Sequence, residues 1–403
     1  MINNAKKKND MDSKWLKTTL GKCLDFTNGK TKPNEKGDLN IYGSNGTIGN
    51  CKKYNSPKNT IVIGRVGNYC GSVHFSKEAC WVTDNALKAV SKDGNNAMFF
   101  YYFLKSFDLG RLRGGSGQPL LTQSILNSIE IISPPNEEQE AIANILGSID
   151  DKIKLNNELN KRVEKLIKVI FEYWFVQFDF PDKNGMPYKS SGGIMNFNNK
   201  LNKKIPAGWS CGNLDDLGKI SGGATPSKKD SMNFTNRGVA WLTPSDMSNN
   251  KGYKFISHGA LDITSKGIRS ASLEIYPKNT VLLTSRAPVG YMAISNNEVT
   301  TNQGFKSIIP NKGYPVHFVF NAVASSMKVI LNFSSGSTFK EIAGSTLKLV
   351  PICLPPIDLS IKFSKKVEKL FELQKTIELE NKKLSNLRDW LLPLLITGKI
   401  RVN

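Results

Sequence analysis

Pro57-Lys58-Asn59-Thr60-Ile61-Val62-Ile63 returns later in the chain as Pro277-Lys278-Asn279-Thr280-Val281-Leu282-Leu283, a proline-opened turn running into a short apolar strand. Other landmarks keep the same order around this pair. Val82-Thr83-Asp84-Asn85 answers to Val299-Thr300-Thr301-Asn302, and Gly115-Ser116 to Gly336-Ser337. Ser128-Ile129-Glu130-Ile131-Ile132-Ser133-Pro134-Pro135 answers to Leu349-Val350-Pro351-Ile352-Cys353-Leu354-Pro355-Pro356 at an offset of 221. Near the start of each half, Trp15 and Gly29-Lys30-Thr31 pair with Trp209 and Gly223-Ala224-Thr225. The order is constant while the spacing varies, which describes one fold used twice with different loops.

Each Pro-Pro pair precedes a long helical pattern, as expected where proline bars the preceding residue from the α region and suits a helix start. From Glu137 to Trp174 one heptad row holds Ile142, Ile149, Val163 and Ile170, and a second holds Leu146, Ile153, Ile167 and Trp174. Asn156 and Asn160 interrupt that stripe. In the second half Phe363, Leu370, Ile377, Leu384 and Leu391 form one row and Val367 and Leu395 the other, interrupted by Gln374, Asn381 and Arg388. At 1.5 Å per residue, each segment makes a helix of roughly 50–60 Å. Two such stripes need a partner, and the simplest partner for each is the other. A buried Asn layer would cost stability and fix their register. The polar link from Gln177 to Pro206 reads as a loop with at most a short strand of its own. The parts around 12–136 and 206–357 read as mixed α and β. Strands are expected at Thr60–Val66, Ile129–Ile132, Thr280–Thr284 and Lys348–Leu354, and helices at Met98–Leu104 and Val316–Met327.

A chain of 403 residues can hold two domains of ordinary size. Its hydrophobic content excludes a disordered tail, and the absence of an apolar run of about 18 residues excludes a membrane-spanning helix. The polar N-terminus and six scattered cysteines point to a cytoplasmic rather than a secreted protein. Lys and Arg number 55 against 34 Asp and Glu, a net charge of +21. The charge is uneven: residues 137–176 carry −2 and 358–403 carry +4, which leaves +19 on the rest. Two basic modules on a spacer imply an anionic partner, with nucleic acid foremost.

Arg65 follows a strand within Gly64-Arg65-Val66-Gly67-Asn68, and Arg286 follows the matching strand in the second half, so the two read as repeat-equivalent. Arg111 and Arg113 precede Gly114-Gly115-Ser116-Gly117-Gln118, whose counterpart ends near Lys340. Lys30, Asn68, Gln118, Lys228 and Arg237 complete the candidate DNA contacts. Lys and Arg suit phosphates, while Arg, Asn and Gln can read base edges.

Catalytic constellations are missing. Three histidines, at 74, 258 and 317, are far apart. Cys70, His74 and Cys80 lack metal-site spacing, so no metal is expected. There is no phosphate-binding GxxxxGK[ST] loop. Ser133-Pro134-Pro135-Asn136 lacks the flanking residues of an NPPY methyltransferase signature. The chain reads as one that binds without catalysing.

These features, with Ser133-Pro134-Pro135-Asn136-Glu137-Glu138-Gln139, Phe171-Glu172-Tyr173-Trp174-Phe175-Val176-Gln177-Phe178-Asp179-Phe180-Pro181, Pro187-Tyr188-Lys189-Ser190-Ser191-Gly192-Gly193 and the closing Leu391-Leu392-Pro393-Leu394-Leu395-Ile396-Thr397-Gly398-Lys399-Ile400, resemble the specificity subunit of type I restriction-modification systems. Asp358-Leu359 departs from the Glu-Glu-Gln pattern at the second helix start. The resemblance implies an α+β chain: two mixed α/β target-recognition domains, 12–136 and 206–357, with two long antiparallel coiled-coil helices, 137–176 and 358–403. A linker, 177–205, and an N-terminal tail, 1–11, complete it. It also implies that each domain reads half of a bipartite double-stranded DNA site, that the helices set the gap, and that two methyltransferase subunits and, in the full complex, restriction subunits are partners. Adenine N6 methylation requires base flipping. S-adenosylmethionine, Mg and ATP would then belong to the partner subunits and no cofactor to this chain. Phe171, Tyr173, Trp174, Phe175, Trp390, Leu391 and Leu394 are the candidate methyltransferase contacts, aromatics at a helix end favouring an interface. A helical scaffold without sequence-specific DNA contacts, and a fused methyltransferase, are the alternatives. The first predicts indifference to DNA sequence, and the second requires the missing NPPY motif.

Overall fold

The structure, a computed structural model, describes residues 15–112, 120–333 and 341–402. Two unbroken helices dominate, Asn136–Phe171 and Ile357–Ile396. Both begin directly after a Pro-Pro pair, with Pro135 O and Pro356 O accepting from Gln139 N and Leu359 N. Compactness follows a different division from the one drawn on the sequence. Residues 15–155 with 382–402 form one unit and 156–381 the other, so each unit contains one domain and one end of both helices.

Within each unit the helices pair antiparallel along much of the expected rows, joined by Phe171, Phe371 and Ile396 from outside them. In the first, Ile142 and Leu146 share a core with Leu395 and Ile396 and with the sheet residues Leu24, Phe26, Ile61, Ile63 and Leu87. In the second, Val163, Ile167 and Phe171 meet Phe363, Val367 and Phe371 over Val281, Leu283, Ile294 and Ile308. The polar interruptions pair across the seam. Asn156 Nδ2 donates to Asn381 Oδ1 at 2.9 Å, Asn381 Nδ2 donates to Asn157 Oδ1 at 2.9 Å, and Asn160 Nδ2 donates to Glu378 Oε1 at 3.2 Å.

The repeat is a repeat of topology. The first domain's antiparallel sheet runs in the order Leu24–Asn28, Ala86–Ser91, Thr60–Gly64, Val73–Ser76. The second runs Lys219–Gly222, Lys306–Ile309, Val281–Leu283, Met292–Ser295, with Phe255–Ile256 added in parallel at the edge. In both, another sheet contains a parallel pair, Leu39–Gly43 with Trp81–Val82 and Val239–Leu242 with Val299–Thr301. A ribbon of the first and last strands closes each domain, Leu16–Thr19 with Glu130–Ser133 and Ser210–Asn213 with Pro351–Leu354.

The quoted turn shows why its sequence recurs. Asn59 and Asn279 both occupy the left-handed region, at φ 60° and 68°, where Asn is tolerated. The hydroxyls of Thr60 and Thr280 each donate to the proline carbonyl three residues back at 2.7 Å. Gly29 and Gly223 recur for a steric reason. A Cβ would stand 2.0 Å from Thr83 O at the first and 1.9 Å from Thr301 O at the second.

Three local expectations change. Lys348 ends a short helix, Gly344–Lys348, and the strand is confined to Pro351–Leu354. The second-domain helix ends at Ser325, and a separate turn, Met327–Asn332, follows. The polar link is ordered. The Asp179 carboxylate accepts from the amide and hydroxyl of Ser190, Phe180 stacks on Tyr188 and Trp209, and Met195–Asn198 pairs with Lys203–Pro206. Composition marked this segment as loop because its few aromatics carry the packing. No helix among the described residues is long and apolar enough to cross a membrane.

Candidate nucleic-acid interface

Backbone pairing gathers three loops at one end of each domain. In the first, Lys30 N donates to Val82 O and Arg65 N to Asn85 O, so Lys30 and Arg65 flank the turn Thr83-Asp84-Asn85. Asn68 is exposed in the tight turn Gly67–Tyr69 that follows. The turn Leu109–Leu112 packs against Gly71, whose amide donates to Gly64 O, which brings Arg111 to this end. Arg111 is 85% exposed and pairs with Asp108 at 2.8 Å. In the second domain, Ala224 N donates to Thr301 O and Ser285 N to Gly304 O. Arg286 follows, its side chain 4.0 Å from Glu341. Arg113, Gln118 and Lys340 lie outside the described residues.

The equivalence of Arg65 and Arg286 does not hold. The residue that receives the same backbone bonds as Arg65 is Ser285: Leu121 N donates to Arg65 O and Ile342 N to Ser285 O, both at 3.0 Å. Arg286 instead matches Val66, for Val66 bridges Leu120 and Arg286 bridges Glu341. The cause is in the numbering. The Pro-Lys-Asn-Thr turns are offset by one residue less than the Pro-Pro pairs, so counting along the strand from the turn moves Arg286 one place on. Neighbours on an extended strand point to opposite faces, so the two arginines present themselves differently. Arg65 is half-buried with its Nε unpartnered and shielded from solvent.

Lys228 and Arg237 are exposed, but Arg237 is not gathered to the cluster. It precedes the strand Val239–Leu242, whose far end, at Leu242 O, accepts from Asn302 N. Reasoning from sequence missed Lys32 and Lys36, which with Asn34 and Asn50 line an open concavity of about 550 Å³ in the first domain. The alternation of Lys30, Lys32 and Lys36 around Pro33 was the available signal. It also missed Gln303, exposed on the second-domain turn, whose carbonyl accepts from the Thr225 hydroxyl. Lys88 is held low in pKa by burial and then by the charge of Lys30, and its ammonium donates to Asn55 O, so it serves the loop and not an external anion.

The proposed partner contacts divide. Phe171, Trp174 and Phe175 are buried, packed on Phe318, Phe363 and Trp209, and are not available for docking. The helix there widens to a π turn over Glu172–Val176, Gln177 N bonding Glu172 O, which rotates Trp174 and Phe175 inward. Tyr173 stays partly exposed, Trp390 is 60% exposed, and Leu391 and Leu394 are half-buried. Tyr173 continues an exposed row on the outer face of the first helix whose other members, Leu159, Leu166, Val169 and Val176, the sequence reading missed.

The sequence model described as the type I restriction modification DNA specificity domain matches residues 7–165 and 206–388. The MjaIX specificity subunit of Methanocaldococcus jannaschii is 40% identical over 186 residues, which cover 45% of this chain and 41% of that one. The HindI specificity subunit of Haemophilus influenzae is 26% identical over 331 residues, 70% of this chain and 71% of that one. The crystal structure of a type I restriction-modification S subunit from M. genitalium superposes with a TM-score of 0.65 at 19% identity, covering 96% of this chain and 98% of that chain.

Proposed function

This chain belongs to the type I restriction-modification DNA specificity family, and from that premise we propose that its two domains each read one half of a bipartite double-stranded DNA site. The observation that carries the reading is the conserved sheet order with divergent loops at the same end of both domains. In the first domain Lys30, Lys32, Lys36 and Arg111 supply cations for phosphates, and Asn68 an amide for base edges. In the second, Arg286 and Lys228 supply cations and Gln303 an amide. Different side chains on equivalent loops give different half-sites. The long helices set the gap between them: at 1.5 Å per residue the 36-residue helix corresponds to about 54 Å.

The chain itself performs no chemistry in this reading. Two methyltransferase subunits dock on the exposed row from Leu159 to Val176 and around Trp390, and methylate adenine N6 in the cytoplasm. S-adenosylmethionine belongs to them, and Mg and ATP to restriction subunits. The test is sequencing of N6-methyladenine in cells holding the cognate methyltransferase, with and without this chain. One split motif should appear only with the chain, and replacing residues 12–136 should alter one half of it. Methylation indifferent to removal of the chain overturns the proposal in favour of a scaffold.

A further inference from the structure

Three consecutive positions of one heptad row on the second helix are polar, Gln374, Asn381 and Arg388. The outer two do more than pair the helices, since each belongs to a cluster that also holds a buried side chain from a domain. In the first unit the Tyr102 hydroxyl, on the helix Ala97–Ser106, donates to Asp150 Oδ2 at 2.8 Å while Arg388 Nη1 donates to Asp150 Oδ1 at 2.7 Å. Tyr102 is 2% exposed, and burial together with that carboxylate pushes its phenol well up.

In the second unit the key is a cation. Lys254 Nζ lies 2.6 Å from Glu164 Oε2 and donates to Gln374 Oε1 at 2.8 Å, over the ring of Phe371 at 4.0 Å. Its side chain is only 4% exposed. The carboxylate of Glu378, itself buried, accepts from the amides of Lys254 and Phe255, at 2.8 and 2.9 Å. Asn160 and Gln374 close the network. Lys254 comes from a part of the second domain that the first does not have. Between Leu242 and Val281 lie two helices and the strands Phe255–Ile256 and Leu261–Ile263, where the first domain has one strand, Gly46–Cys51.

We propose that the two ends of the helix pair are keyed, one to a buried hydroxyl and the other to a buried cation, so that Tyr102 and Lys254 are positioning residues that seat each domain in one orientation at its own position. This rests on the reading of the domains as half-site readers. A domain without the lysine at the second position would leave the buried Glu378 without its nearby cation and the half-exposed Glu164 without its ion pair. At the first position the offset of 221 that relates the two helices puts Ile153 and Asn157 where the second has Gln374 and Glu378, so Lys254 would lose both of those partners. An unpaired charge in either cluster is the costly case, while a matched one is tolerated.

The test uses the full chain with its methyltransferase and reads the methylated motif. K254M should lower discrimination by about tenfold at the half-site read by 206–357 and leave the other half sharp. Y102F, a change too small to unfold the chain, should loosen only the half read by 12–136, and it decides the matter if K254M does not accumulate. A sharp motif with uniformly reduced methylation in both variants, or loss at the wrong half, overturns the keys. If the unaltered chain directs no split motif, the half-site reading fails instead, a result that cannot be confused with either.

Discussion

The seam layer of Asn156 and Asn381 lends itself to a double-mutant cycle. Asn381 is fully buried and makes two amide hydrogen bonds, accepting from Asn156 and donating to Asn157, each at 2.9 Å. At about 1 kcal/mol net per bond, their loss in N381A, with about 1 kcal/mol more for the space left behind, comes to ~3 kcal/mol. Asn156 is not wholly abandoned, since its Nδ2 also donates to Glu380 at 2.8 Å. N156A also removes two bonds, but one of them goes to the half-buried Glu380, which water can satisfy, so it should cost somewhat less, ~2 kcal/mol. N156L/N381L behaves differently from either. It replaces two buried amides by two leucines facing each other in an apolar seam, each gaining about 1–2 kcal/mol, while Glu380 and Asn157 turn to water.

The double leucine variant is thus expected to be at least as stable as the parent, although each alanine variant is weaker. Urea unfolding followed by tryptophan fluorescence reports on this unit through Trp174 and Trp209, both in its core. With a slope of about 2 kcal/mol per molar, N381A should lower the midpoint by about 1.5 M and the double variant should not lower it at all. If N156L/N381L falls by as much as the alanine variants together, the layer is a stabilising contact, and the argument that it is retained for register at a cost in stability is wrong.

Two further outcomes follow from local geometry and charge. Gly223→Ala would drive a Cβ to 1.9 Å from Thr301 O and should cost about 3 kcal/mol or more, whereas Gly67→Ala, at φ 71° with open space around it, should cost only about 1 kcal/mol; thermal unfolding compares them. His317 is pushed down to about 4 by burial and then by the charge of Lys254, with Glu372 opposing, and its ring sits against Ser364 and Phe371. The unfolded chain binds the extra proton between pH 6.5 and 4, so stability present above pH 6.5 is lost as pH falls to about 4, by ~3 kcal/mol at most. Urea midpoints across that range should fall less steeply in H317Q, and an unchanged slope would show that another group titrates.

The sequence is most legible where the interaction is local or periodic. Ile142, Leu146, Val163 and Ile167 lie in the seam because helical spacing leaves them one face, and Asn59 and Asn279 sit in the turn because few residues accept that backbone. Legibility ends where partners are distant. Nothing in the sequence around Lys254 marks it as buried, because its burial depends on Gln374 and Glu378, more than a hundred residues away. Phe171 and Phe175 read as an exposed end, because Phe318, which covers them, arrives from the second domain's helix. The row from Leu159 to Val176 was hidden for the opposite reason. The heptad pattern drew attention to the buried rows and assigned the remaining face to solvent.

Arg65 and Ser285 show how one backbone can carry two different side chains at one loop position. Both make the same pair of backbone hydrogen bonds: their amides donate to the neighbouring turn, at Asn85 O and Gly304 O, and their carbonyls accept from Leu121 N and Ile342 N. The side chain takes no part in either bond, so it can change from a guanidinium to a hydroxymethyl without moving the loop. The same holds at Lys30 and Ala224, which follow glycines fixed by the close approach of Thr83 O and Thr301 O. What recurs between the halves is therefore what the backbone needs: left-handed asparagines, glycines at close approaches, and threonines that cap turns. What differs are side chains that the backbone leaves free, such as Lys30 against Ala224 and Arg65 against Ser285, and on the proposed function these are the positions open to different DNA half-sites. Substitution can act on the second set without disturbing the first, provided the clusters that attach each domain to its helices are left intact.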